Sequence, residues 1–333
     1  LFEIDIFYVV LARAKSMVDL TVAIPTYNGA QRLPDVLEAL KSQTGTEAFT
    51  WEVLVVDNNS RDTTAEVVKA YQQDSPYPIR YCLEATQGAG FARKRAIQEA
   101  QSELIGFLDD DNIPHANWIA AGYTFAQKYP NAGAIASRIR GEFEVEPPED
   151  FSRLLSFLAL TERGPDPLIY EPAKKVLPPS AGLVIRKQAW IENVPDRLIL
   201  NGRVDGNMLT AEDLEMLSYI QHSGWEIWYN PAMQVRHKIP KQRLEREYLI
   251  PFFRGIGLSR YVTRMLSVKP WQRSLALVAY TLNDIRKITL HLLKHRTKVK
   301  TDLVAACELE LFTSSLISPF YLWRKGYLSS KKT

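Results

Sequence analysis

Through the first 140 positions, short β-branched apolar runs alternate with helical patterns of about a dozen residues, which predicts successive strand-helix units on a mostly parallel sheet. Strands are predicted over 20–24, 51–56, 79–83, 104–108 and 132–136, with helices over 33–42, 63–73, 88–101 and 116–129. In such α/β sheets ligands bind beyond the carboxyl ends of the strands, so chemistry is sought in the turns that follow them. Past Arg140 the pattern changes. The acidic, proline-containing stretch 142–150 and the five prolines of 164–179 read as loops around a short helix at 151–160. A strand at 182–185, a helix at 211–222 and a strand at 225–229 complete a mixed second part. Beyond Pro240 the chain becomes helical, and Leu275, Val278, Leu282, Ile285 and Leu292 fall on one apolar stripe flanked by Arg286, Lys287 and Lys294. The predicted organisation is an extension over 1–17, a main domain over 18–240 whose halves meet near 140, and a helical extension over 241–333.

A 46% hydrophobic content in 333 residues supports a sizeable core and argues against disorder. The net charge of only +3, without repeats or low-complexity tracts, gives no support to nucleic-acid binding. The charge is unevenly placed: from Lys241 onward there are 18 Lys and Arg against 6 Asp and Glu, and before it 23 against 32. An acidic first part suits a metal and substrate module, and a basic second part suits phosphate or an anionic surface. Cys82 and Cys307, far apart and in apolar contexts, suggest neither a disulfide framework nor a cysteine zinc site, which fits a reducing compartment. The apolar run 6–12 follows Glu3 and Asp5 without a positive leader or cleavage site, so no signal peptide is expected and Met17 is the expected natural start. No uninterrupted apolar stretch reaches about 18 residues, which argues against a spanning helix.

The strongest chemical signal is Ile105-Gly106-Phe107-Leu108-Asp109-Asp110-Asp111-Asn112, three carboxylates directly after a buried strand. They repel one another unless a cation offsets them. A hard divalent ion such as Mg²⁺ or Mn²⁺ bridges carboxylates to substrate phosphates, so a nucleoside diphosphate is the natural complement; a solvated acidic turn capping the next helix is the plainer account. After the first strand, Pro25, Thr26, Tyr27 and Asn28 offer small polar groups and an aromatic face to a nucleoside, though Asn-Gly turns are also ordinary loops. Asp57, ending the second strand, offers an acceptor for a base N–H or a ribose hydroxyl. The third turn carries Gly88, Gly90 and Arg93 at a helix start, an arrangement that admits a phosphate but is common on its own.

Together these elements resemble glycosyltransferase family 2, the inverting enzymes of GT-A type, from about Leu20 to His237. The resemblance implies an α/β, GT-A type Rossmann-like sheet with a nucleotide-sugar half to about 140, an acceptor half to about 240, and a C-terminal helical extension. It further implies that Asp57 reads the base, Asp109 the ribose, and Asp111 ligates the metal on the donor diphosphate, with Asp110 beside it. Lys94 departs from the Asn that usually follows the Arg. Thr210-Ala211-Glu212-Asp213-Leu214 is similar to the family's Glu-Asp pair, which makes Asp213 the general base. By the same resemblance His237 is a metal or pyrophosphate ligand, and Ala181 and Gly182 with Glu212 belong to the acceptor side. Arg254 or Arg260 could close over the diphosphate as a lid or simply coat a solvated helix, and the processive Gln-x-x-Arg-Trp motif is absent, which favours single-sugar transfer.

The expected substrates are a nucleotide-sugar donor, UDP-sugar first and GDP- or dTDP-sugar next, and a saccharide or lipid-linked saccharide acceptor in surface or extracellular polysaccharide assembly. Nucleotidyl transfer is the competing enzyme class, but no Gly-rich loop with a Lys lies between Pro25 and Leu33. A non-catalytic binding module would have no use for both Asp111 and Asp213. The expected location is cytoplasmic, with the tail helices peripheral on an anionic membrane face through Trp271, Trp323 and Tyr327; packing of the same stripe onto the main domain or a second subunit is the alternative.

Overall fold

The computed structural model describes residues 18–148, 150–172, 177–202 and 209–328, so the expectations for 1–17, Met17 included, lie outside the described residues. Strands β1 (Leu20–Thr26), β2 (Trp51–Asp57) and β3 (Ile79–Leu83) pair in parallel, and β1 also pairs with β4 (Leu104–Phe107). β1 and β2 are buried on both faces, which a continuous apolar run requires and which only helices on both sides supply. Helix α1 (Leu33–Lys41) meets this need with Leu33, Val36, Leu37 and Leu40 at helical spacing, and a proline in its first turn fixes the entry. α2 (Thr64–Gln73), α3 (Ala89–Glu99) and α4 (Trp118–Lys128) follow their strands as the periodicity predicts.

The sheet then departs from a parallel series. Its order is β3-β2-β1-β4-β8-β6-β9-β5, with β7 (Leu168–Ile169) paired to β9. β8 (Leu183–Arg186) inserts antiparallel between β4 and β6 (Ala132–Phe143), so consecutive strands are not neighbours there. Local periodicity cannot foresee a partner that arrives so much later in the chain. The strand expected over 225–229 extends as β9 (Glu226–Ile239), where it pairs parallel to β6. Its register jumps opposite Ser137 and Arg138, from Asn230 to Gln234, and this irregularity accommodates Pro231, which has no N–H to give a ladder. The antiparallel partner of β9 on the other side is β5 (Asn112–Pro114).

The helix expected over 151–160 is replaced by two 3₁₀ turns, Phe151–Arg153 and Leu155–Leu158, ended by Ala159 in the left-handed region. Their buried Phe151, Leu154 and Leu158 are held by tertiary packing against Leu249, Phe253 and Leu311 of the tail. After α5 (Lys187–Asn193) and α6 (Glu212–His222), the tail comprises α7 (Arg246–Leu266), α8 (Arg273–His295) and α9 (Leu303–Arg324). α7 and α9 carry many buried side chains, whereas the α8 stripe faces outward: Leu275 is 75% and Leu282 62% exposed. Ile317, Phe320 and Trp323 of α9 are exposed as well. Among the described residues α9 is the helix long and apolar enough to cross a membrane, with 44% of that window buried.

Candidate active site

The carboxyl ends of β1, β2 and β4 lie side by side because the three strands pair in register, Thr26 opposite Asp57 and Ala23 opposite Phe107. The turns that follow are stitched together. Asn28 holds the second turn through its backbone N–H to Ser60 Oγ at 2.9 Å and its Oδ1, which accepts from the Arg61 N–H at 2.9 Å. Asp57 is buried, accepting from the Ser60 N–H and from the Tyr81 hydroxyl, each at 2.8 Å. Burial, followed by this contact, pushes the Tyr81 phenol up to about 12. Tyr27 is half-buried beside Pro25, and its carbonyl accepts from Arg32 at 3.1 Å.

The third turn differs from expectation. Gly88 takes φ 135°, and a Cβ there would lie 2.6 Å from the carbonyl oxygen of Asn201, a conformation and approach open only to glycine. Its N–H donates to Asn58 Oδ1 at 2.7 Å, and the Gly90 N–H donates to that Asn201 oxygen at 3.2 Å. The phosphate expected at this helix start is displaced by protein backbone. Arg93 is likewise engaged, 2.7 Å from Glu212 and 3.1 Å from Asp109, and a buried guanidinium between two carboxylates is a strut. Lys94 turns away to Asp196 at the surface.

The three aspartates have three different surroundings. Asp109 is the most open and pairs with Arg93. Asp110 accepts from the Thr26 hydroxyl at 2.6 Å and receives a two-pronged contact from Arg32 at 2.8 Å to each oxygen. Asp111 points the other way. Pairing of β5 with β9 sets Asn112 opposite His237, and Asp111 Oδ2 lies 3.6 Å from His237 Nε2. His237 donates its Nδ1–H to the Leu158 carbonyl at 3.0 Å, which leaves Nε2 as the ring nitrogen facing Asp111 and Arg243. Between them sits Arg243, 2.6 Å from Asp111 Oδ2 and 2.9 Å from His237 Nε2. Burial would raise the Asp111 pKa, but His237 and Arg243 hold it well below the ordinary carboxylate range.

A carboxylate oxygen and a backbone-braced imidazole nitrogen converging on one cationic group have the donor set a divalent ion takes. Arg243 there is the protein's own stand-in for that charge. The residues therefore fit a metal held by Asp111 and His237.

Across the cleft, α6 begins at Ala211, held in the left-handed region at φ 75°. Asp213 Oδ2 accepts from the Ser180 N–H at 3.1 Å and Oδ1 from the Leu214 N–H at 2.8 Å. Burial and the neighbouring charge of Glu212, opposed by Arg93, raise Asp213 to about 6. Glu212 is buried against Arg93, with Oε2 unpartnered among the described residues. Two acceptor-side expectations are corrected. Ala181 is packed into the core rather than facing the cleft. Gly182, at φ 65°, is small because a Cβ would come within 2.8 Å of both Ser137 and Val235, so sheet packing explains it.

Arg254 pairs with Glu310 at 3.0 Å, and Arg260, half-buried, donates to Ser315 at 3.4 Å, so neither is the expected lid. Arg32, Tyr81 and Arg243 are the site residues that sequence reasoning missed. Arg32 was within reach as a cation in the first turn; nothing in spacing linked Arg243 to Asp111.

Residues 21–173 match the family described as Glycosyl transferase family 2. The glycosyltransferase AglE of Haloferax volcanii is 30% identical over 146 residues, covering 40% of this chain and 48% of its own. Human dolichyl-phosphate beta-glucosyltransferase is 35% identical over 137 residues, covering 38% and 42%. The chain thus spans about half or less of the length of the curated relatives it matches. The mannosyltransferase PcManGT of Pyrobaculum calidifontis, solved in complex with GDP-Man and Mn²⁺, is similar with a TM-score of 0.58 at 17% identity, covering 92% of this chain and 90% of its own. At that identity the likeness establishes the fold, which is of GT-A type.

Proposed function

We propose that the chain is an inverting, metal-dependent glycosyltransferase acting from a nucleotide-sugar donor on an acceptor hydroxyl, a reading supported by the match of residues 21–173 to glycosyl transferase family 2. The observation that carries this reading is the convergence of Asp111 and His237 on one cationic position, with the half-buried Asp213 next to Glu212, which Arg93 bridges to Asp109. Asp57 and Asp109 then face the nucleoside, with Pro25, Thr26, Tyr27 and Asn28 shaping its pocket. Asp111 and His237 would hold Mg²⁺ or Mn²⁺, which would supply positive charge to the departing diphosphate. Arg243, now paired with Asp111, would then be free to bond two diphosphate oxygens at once. Asp213 accepts the proton of the acceptor hydroxyl while that oxygen bonds to the anomeric carbon and the bond to the diphosphate breaks. A carboxylate raised to about 6 is a stronger base than an ordinary Asp and is still ionised at neutral pH.

The donor is a UDP-sugar in the first instance, with GDP- and dTDP-sugars as the competitors. The acceptor is a saccharide or lipid-linked saccharide; the dolichyl-phosphate in the human relative's name supports a lipid carrier but not the saccharide on it. The chain acts in the cytoplasm in surface or extracellular polysaccharide assembly, with α8 lying on the anionic inner face of the membrane. The outward apolar stripe and the basic excess after Lys241 support that placement. A thermal-shift screen of UDP-, GDP- and dTDP-sugars with and without Mn²⁺ tests the donor reading, because a ligand of the native state raises stability by mass action. Absence of any Mn²⁺-dependent stabilisation would remove it.

A further inference from the structure

A second group of metal-ligand side chains lies outside the aspartate site, where α8 turns back into α9. His291 and His295 are one helical turn apart on α8, and their rings stack with centroids 4.4 Å apart at 28°. Glu308 of α9 meets them, its Oε2 3.8 Å from His291 Nδ1. One ligand atom from each of the three lies within 4.8 Å of the others.

Hydrogen bonding has prepared one of the two imidazoles, His291, to act as a ligand. His291 Nε2–H donates to the Ala305 carbonyl at 2.8 Å, which places the proton on Nε2 and leaves the Nδ1 lone pair on the Glu308 side. Ligating histidines are commonly braced in this way by a carbonyl at the other ring nitrogen. A lone pair facing a carboxylate is repulsive until a cation, or a second proton on the ring, comes between them. His295 Nε2 is covered and has no hydrogen-bond partner among the described residues.

We infer that His291, His295 and Glu308 form a binding site for a borderline transition-metal ion, Zn²⁺ in the first instance, that clamps the end of α8 onto α9. Two imidazole nitrogens and one carboxylate oxygen are the donors of zinc rather than of Mg²⁺ or Ca²⁺. Zn–N and Zn–O bonds of about 2.0–2.2 Å place tetrahedral ligands roughly 3.5 Å apart, so side-chain rotations must close the 3.8 Å between His291 and Glu308 and the spread of up to 4.8 Å across all three. Water fills the remaining position. Arg153, 3.3 Å from the same Glu308 oxygen, is the cation with which the metal competes. The clamp is independent of the sugar-transfer reading, and it fixes the far end of the helix that carries the outward apolar stripe.

The test uses the full chain stripped with chelator, carrying Asp111→Asn to silence the aspartate site. Zn²⁺ titrated by calorimetry is expected to bind one equivalent at roughly micromolar affinity or tighter and to raise Tm. Co²⁺ as a spectroscopic probe is expected to give visible bands of tetrahedral intensity. Adding His295→Gln or Glu308→Gln weakens binding by at least about tenfold and cancels the Tm rise, while the metal-free Tm of at least one of them stays at the parent value. Arg153→Gln tightens binding. The clamp is overturned if the Asp111→Asn chain binds Zn²⁺ only at millimolar concentration, or if both ligand variants bind it as well as their parent.

Discussion

Replacing Arg243 by glutamine removes the guanidinium that stands 2.6 Å from Asp111 Oδ2 and 2.9 Å from His237 Nε2. Asp111 keeps 9% of its side-chain surface and Arg243 27%, so the pair is neither screened like a surface bridge nor fully dry. Two unit charges about 4 Å apart at an effective dielectric near 20 attract by about 4 kcal/mol, and a charge-assisted hydrogen bond nets about 1.5–3 kcal/mol. The exposure of Arg243 and the nearby His237 put the loss at the lower end, about 2 kcal/mol. That loss appears first as a lower Tm without metal, restored by Mn²⁺. Mn²⁺ alone no longer has to displace the arginine, so its affinity rises about tenfold, the equivalent of about 1.4 kcal/mol. With Mn²⁺ saturating, the nucleoside diphosphate loses a two-pronged partner and binds about tenfold more weakly. Calorimetry of Mn²⁺, and then of the nucleotide in Mn²⁺, reads both effects. Opposite signs are the signature of a residue that surrenders the metal's place and then holds the diphosphate. Equal weakening of both ligands, or an unchanged Mn²⁺ affinity, would refute the reasoning and leave Arg243 as a structural strut.

Asp213→Asn is expected to lower kcat by about 10²–10⁴ with nucleotide affinity unchanged, measured by product formation and by calorimetry. Since the Asp213 pKa is raised to about 6, its base form is lost as pH falls through that value, so wild-type kcat/KM should drop about tenfold per unit below it. A flat profile between pH 5 and roughly 7 would exclude this base. Chelation with EDTA and Asp111→Ala should each abolish Mn²⁺-dependent nucleotide binding, and unaltered affinity in both would mean the metal is held elsewhere. Leu275→Gln with Leu282→Gln should remove exposed apolar area without changing charge, so binding to anionic vesicles at low salt falls while Tm stays put; a large Tm drop would place the stripe in an interface instead. Gly182→Val should destabilise the chain by several kcal/mol, read as a fall in Tm, because its Cβ meets Ser137 and Val235 at a left-handed backbone position; retained stability would show that β6 and β9 yield there.

The parallel core was legible in the sequence because its causes are local. Apolar runs such as 51–56, helical spacing such as Leu33, Val36, Leu37 and Leu40, and the turns ending in Asp57 and Asp109 are fixed by residues a few positions apart. The three-aspartate turn and the Glu212-Asp213 pair could likewise be read as chemistry, since adjacent carboxylates need an explanation wherever they lie. Long-range pairing decided the rest. Insertion of β8 between β4 and β6, and the extension of β9 past Pro231 to meet β5, bring His237 to Asp111. Only that assembly shows Arg243 standing where a cation belongs, Arg93 acting as a strut between Asp109 and Glu212, and Asn201 filling the helix start where a phosphate was expected. A side chain's charge and size are written in the sequence, but its partners are set by which distant strands and loops come to lie beside it, and in this site those partners determine what each charge does.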